Sequence, residues 1–93
     1  MAHEHKMQAM ARLKRIEGQI RGIQRMLEED RYCVDILTQT SSVVAALHGV
    51  EDVIMENHLN TCVTDAIKSG NVAERQEKID EVMSVITKFR KHG

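Results

Sequence analysis

Cys33, His58 and Cys62 are the residues whose types and spacing could do chemistry in this chain. His58 and Cys62 stand four apart in the run His-Leu-Asn-Thr-Cys, so on a helix they share one face. A lone helical cysteine is ordinarily a small buried hydrophobe, and a lone histidine near a helix end a solvated polar group. Set together on one face, the two become a ligand pair. Two soft thiolates with one imidazole suit a thiophilic ion such as Cu(I). The third residue, Cys33, lies 25 residues before His58 in a stretch that reads as one helix. At about 1.5 Å per residue the separation is roughly 37 Å. One straight helix cannot fold the three onto one ion, whereas a second copy running antiparallel can. The midpoint falls near Ala46, among the small residues Ser41, Ser42, Ala45 and Gly49. Small residues there let two helices approach closely, although packing within one chain explains them equally well. Two-fold symmetry would then give two equal sites.

The elements that must position these residues are helices. Residues 1–5 read as a short mobile arm. His3 and His5 in it could supply nitrogen ligands; His48 has no ligand partner at helical spacing, and His92 belongs to the tail. From about Lys6 to Leu27, apolar residues fall at Leu13, Ile16, Ile20, Ile23 and Leu27, the alternating spacing of a helix that packs in a bundle. Asp30 is placed to cap a second helix, which would put Cys33 in its first turn at N3, where the helix dipole favours thiolate. That helix runs to about Ser69 with an apolar stripe through Ile36, Leu37, Val43, Val44, Leu47, Val50 and Ile54, and Gly70 follows as a stop. Asn71 with Glu74 three residues on fits the start of a third helix carrying Ile79, Val82, Met83, Ile86 and Phe89. The expected fold is all-α, with a long middle helix.

The 93 residues make one small domain, 1–93, marginal for burying a core alone. There is no Trp and no Pro, and one each of Phe and Tyr; nothing forbids long helices. No apolar run is long enough to span a bilayer and no leader is visible, so the expected location is the cytosol, without a membrane partner. Two cysteines there point to ligands or redox groups rather than a structural disulfide. The net charge of −1 hides a segregation: Glu4 carries −1, residues 5–27 carry +5, residues 28–87 carry −8, and the last six +3. Basic segments on a neutral chain can form a phosphate-binding surface. No nucleophile–base–orienter arrangement or Gly-rich phosphate loop suggests an enzyme.

The ordered set Arg12-Leu-Lys-Arg-Ile-Glu-Gly18-Gln, Arg25-Met-Leu-Glu, Tyr32-Cys33-Val-Asp-Ile-Leu and His58-Leu-Asn-Thr-Cys62 resembles the copper-sensing members of the CsoR/RcnR/FrmR family of repressors, over about residues 6–89. The resemblance implies an antiparallel dimer of three-helix protomers assembling into a tetramer, a dimer of dimers. It implies a metal-free protein that binds double-stranded operator DNA and a Cu(I) form that releases it. Cys33 of one chain with His58 and Cys62 of the other match the metal ligands. Tyr32 matches a tyrosine beside the first cysteine, and Glu77 the helix-three acid that couples to the histidine. Arg12, Lys14, Arg15 and Arg21 become the DNA-binding candidates, because no Lys or Arg occurs between Cys33 and Ile67. Nickel/cobalt-responsive relatives, which draw on N-terminal nitrogen ligands, and persulfide-responsive relatives, which lack the histidine, are the alternatives within the family. A copper buffer that never touches DNA is the alternative outside it, and the +5 of the first helix speaks against it.

Overall fold

The computed structural model describes residues 1–68 and 70–90, with the backbone alone for Val63, Ala66 and Arg90. The expected helix end at Ser69, the tail residues Lys91 and His92 and the Arg90 side chain lie outside the described residues. Three helices follow one another: α1 (His3–Glu28), α2 (Cys33–Lys68) and α3 (Val72–Arg90). The all-α class and the long middle helix are as expected. Among the described residues no helix is long and apolar enough to cross a membrane. The chain forms two compact units, Met1–Ile54 and Met55–Gly93.

The N-terminal arm is shorter than expected. α1 begins at His3, capped by the extended Ala2, whose carbonyl accepts a hydrogen bond from Lys6 N at 3.0 Å. No Gly or Pro interrupts residues 1–17, and Glu4 in the first turn complements the positive end of the helix dipole. His3 and His5 therefore ride on the helix.

Asp30 ends the first helix rather than starting the second. It sits at φ 53, the left-handed region that Asp tolerates better than most side chains. Asp30 N donates to Leu27 O at 3.2 Å and Arg31 N to Met26 O at 3.0 Å. These are the paired bonds of a Schellman stop, which satisfy carbonyls the helix end would otherwise orphan. The carbonyl of Tyr32 then accepts from Asp35 N and Ile36 N, so Tyr32 caps α2 and Cys33 is its first residue, not its third. No described glycine has a positive φ, so Gly70 does not supply the left-handed stop expected of it. Asn71 does act as expected: its Oδ1 accepts from Ala73 N at 2.8 Å and its carbonyl from Arg75 N at 3.1 Å.

In the first unit, Ala9 and Ile16 of α1 pack with Val43, Val50 and Val53 of α2, joined by the half-buried Leu13, Ile23 and Ala46. The α2 stripe expected from sequence divides here. Val43 and Val50, with Val53, face the core, while Leu37 (63% exposed), Val44 (50%), Leu47 (39%) and Ile54 (47%) do not. On α1, Ile20 and Leu27 of the expected stripe are likewise exposed. The hydroxyls along α2 return to the carbonyl four residues back, Thr38 to Val34 and Thr40 to Ile36, so this polar stretch stays helical without seeking other partners.

Candidate metal centre and the basic helix

The second unit contains the end of α2 and all of α3, joined through residues 69–71. Counting outward from this short connection pairs the helices in antiparallel order. The residue as far after the turn as His58 lies before it falls at about Glu81–Val82; for Cys62 it falls at about Lys78. The structure agrees. His58 Nε2 lies 3.5 Å from Cys62 Sγ and 3.7 Å from Glu81 Oε1. The three ligand atoms all lie within 4.8 Å of one another. Cys62 is buried at 5% exposure, whereas the His58 side chain is 37% exposed and that of Glu81 49%. Cys62 also lines an open, largely apolar groove of about 440 Å3, with Ile67, Ile79, Val82 and Met83. Its sulfur is thus shielded but not sealed off.

The sequence identifies His58 and Cys62 as a pair, and the resemblance offers Glu77 as the acid beside them. Glu77 is exposed, and the carboxylate facing His58 belongs to Glu81, four residues later on α3. Counting back from the turn finds it, since Glu77 matches a position near Val63. Cys33 is an exposed free thiol in the first turn of α2 and is not part of this group of three. Tyr32, beside it, is 68% exposed.

On α1 the four basic candidates separate by face. Arg12, Lys14, Arg15 and Arg21 are all exposed. At 100° per residue, Lys14 and Arg21 point away from the face that buries Ala9 and Ile16. Arg25, not among the four expected, continues their line, with Gly18 open between them. Arg12 instead lies at the edge toward α2: a Cβ built on Gly49 would fall 2.8 Å from its Nη1.

Comparison with known proteins gives one consistent picture. A family model described as metal-sensitive transcriptional repressor matches residues 5–88. The copper-sensing transcriptional repressor CsoR of Bacillus subtilis (strain 168) is 52% identical over 88 residues, covering 95% of this chain and 84% of that protein. Among solved structures, the copper-sensing repressor CsoR with Cu(I) from Geobacillus thermodenitrificans NG80-2 superposes with a TM-score of 0.76 at 44% identity, covering 97% of this chain and 91% of that one. The nickel-responsive transcriptional regulator InrS gives a TM-score of 0.76 at 35% identity, covering 89% and 90%.

Proposed function

Because the chain belongs to the metal-sensitive transcriptional repressor family, we propose that it is a cytosolic Cu(I)-responsive repressor, holding operator DNA in the metal-free form and releasing it when Cu(I) binds. The observation that carries this reading is the 3.5 Å approach of the His58 nitrogen to a buried Cys62 sulfur, with a second free thiol on the same helix. These donors fit Cu(I): thiolate is its preferred ligand and imidazole suits it. When bound, Cu(I) supplies a soft cationic centre that ties two thiolates and an imidazole together.

Cys33 of one chain would join His58 and Cys62 of the partner subunit. The helical rise over 25 residues rules out one α2 supplying all three. The exposed ridge of Leu37, Val44, Leu47 and Ile54 supports the second chain. Its centre lies near Ala46, the same point that bisects Cys33 and the His58/Cys62 pair. Two unlike features, a ligand spacing and an apolar ridge, thus both support a two-fold axis near Ala46. Covering such side chains contributes about 1.5–3 kcal/mol each when burial is complete, which the small core of one chain needs. Two such dimers would pair into a tetramer.

DNA contact is assigned to α1. Lys14 and Arg21, with Arg25, form the outward line, and Arg12 and Arg15 flank it. The switch is a difference in Cu(I) affinity between the DNA-bound and free arrangements, so operator DNA must weaken Cu(I) binding by the same factor that Cu(I) weakens DNA binding. The test is operator binding measured anaerobically with and without one Cu(I) per chain. Release expected at that stoichiometry should disappear in Cys33→Ala. Retention of DNA at saturating Cu(I) would overturn the reading.

A further inference from the structure

Three ligand atoms of different chemistry already converge within one protomer, and Cys33 is not needed for them. A single imidazole nitrogen of His58 faces both Cys62 Sγ at 3.5 Å and Glu81 Oε1 at 3.7 Å. A sulfur, a carboxylate oxygen and an imidazole nitrogen that share one space need a proton or a cation among them. A tetrahedral ion with bonds of about 2.3 Å to sulfur and about 2.0–2.1 Å to nitrogen and oxygen sets its ligand atoms roughly 3.3–3.6 Å apart. The nitrogen–sulfur distance lies in that range, the nitrogen–oxygen distance is longer, and all three ligand atoms lie within 4.8 Å of one another, so the half-exposed Glu81 closes the site by moving inward. One thiolate, one imidazole and one carboxylate form a borderline set. It is too hard to be the best cage for Cu(I) and too soft for Mg(II) or Ca(II), and it matches Zn(II) with water in the fourth position.

We infer that each protomer by itself holds a site for a borderline divalent cation, Zn(II) in chemical class, built from His58, Cys62 and Glu81. On binding, the Cys62 thiol gives its proton to solvent and His58 coordinates as the neutral imidazole. The site shares two residues with the Cu(I) site proposed above but takes its third from α3 of the same chain. The two ions therefore exclude each other, and Zn(II) raises the Cu(I) concentration needed for release; this consequence, though not the site, rests on the Cu(I) reading.

The experiment is an anaerobic Co(II) titration of the reduced full-length chain, with Zn(II) added afterwards as competitor. One equivalent per chain should develop the intense visible bands of a tetrahedral site with thiolate-to-cobalt charge transfer, and Zn(II) should bleach them. Cys33→Ala should keep this spectrum, Cys62→Ala should lose the charge-transfer band, and Glu81→Ala should weaken binding by more than about tenfold. Glu81→His, which returns a ligand at that position, should recover a tetrahedral spectrum. Loss of the spectrum in Cys33→Ala, or unchanged affinity and bands in Glu81→Ala, would overturn the inference. Because Cys33→Ala cannot form the proposed Cu(I) site, its Co(II) spectrum is read independently of whether Cu(I) releases DNA.

Discussion

His58 offers one nitrogen, Nε2, to two neighbours, and this makes it the residue where binding can become a signal. That nitrogen faces the Glu81 carboxylate of α3 at 3.7 Å. Ligation at either ring nitrogen would fix the imidazole and its tautomer, so the tie between α2 and α3 would differ between the free and the Cu(I)-bound protein. Removing Glu81 removes the difference. Glu81→Ala should reduce the coupling, read as the ratio of operator Kd values with and without saturating Cu(I), by several-fold against a typical coupling of about 5–150-fold. Glu77→Ala, at the position expected from family resemblance, should leave the ratio within about twofold of the parent chain, as for most exposed changes. The reverse ranking would return the relay to Glu77. His58 and Cys62 are legible as a pair because helical periodicity alone puts positions four apart on one face. Glu81 is not, because the turn of α3 that meets His58 depends on where the connection begins and ends.

At the scale of elements, the two connections illustrate what local chemistry can and cannot disclose. Asn71 has the chemistry of a cap, and its side chain bonds the second residue of α3. Asp30 has the same capping chemistry but stops α1, because the chain turns there through a left-handed residue and an Asp serves either purpose. Asp30→Gly should therefore hold or raise the Tm. Asp30→Val, whose branched side chain fits that conformation poorly, should cost about 1–2 kcal/mol in chemical denaturation. A helix cap at Asp30 would instead be damaged by alanine and valine alike. For α1 the charge excess is plain in the sequence, but its division into an outward line and a residue lying over Gly49 is not. Lys14→Ala/Arg21→Ala should weaken operator binding across sequences and flatten the salt slope by about 2, one for each phosphate left without its cation. Arg12→Ala, by its placement at α2, should change the slope less. Equal slopes in parent and double variant would move the DNA surface off α1.

At the scale of the whole molecule, α2 carries more apolar surface than one chain covers. Ile36, Leu37, Val43, Val44, Leu47, Val50 and Ile54 read in sequence as one broad stripe. In the structure Val43 and Val50, with Val53, pack against α1, while Leu37, Val44, Leu47 and Ile54 are exposed. Periodicity could not divide them, since it reports how much of a helix is apolar and not which partner covers each part. On the proposed Cu(I) reading, the ligand spacing supplies what periodicity lacks, a reason for a second antiparallel copy centred near Ala46. Leu47 lies next to that centre, so the proposed two-fold axis would bring it close to its own copy in a second chain. Leu47→Glu would place two carboxylates together in an apolar seam, and like charges there repel while losing water. The variant should sediment as a monomer and lose tight Cu(I) binding although Cys33, His58 and Cys62 are all intact. Complementation gives the positive counterpart. A Cys33→Ala chain and a His58→Ala/Cys62→Ala chain, unfolded and refolded together, should form a mixed dimer in which one site keeps all three ligands and the other keeps none. High-affinity Cu(I) binding should then return at one ion per mixed dimer in competition with a Cu(I) chelator. No return of such binding, or a Leu47→Glu monomer that still binds Cu(I) tightly, would place the copper ligands within one chain and remove the reason for the antiparallel pair.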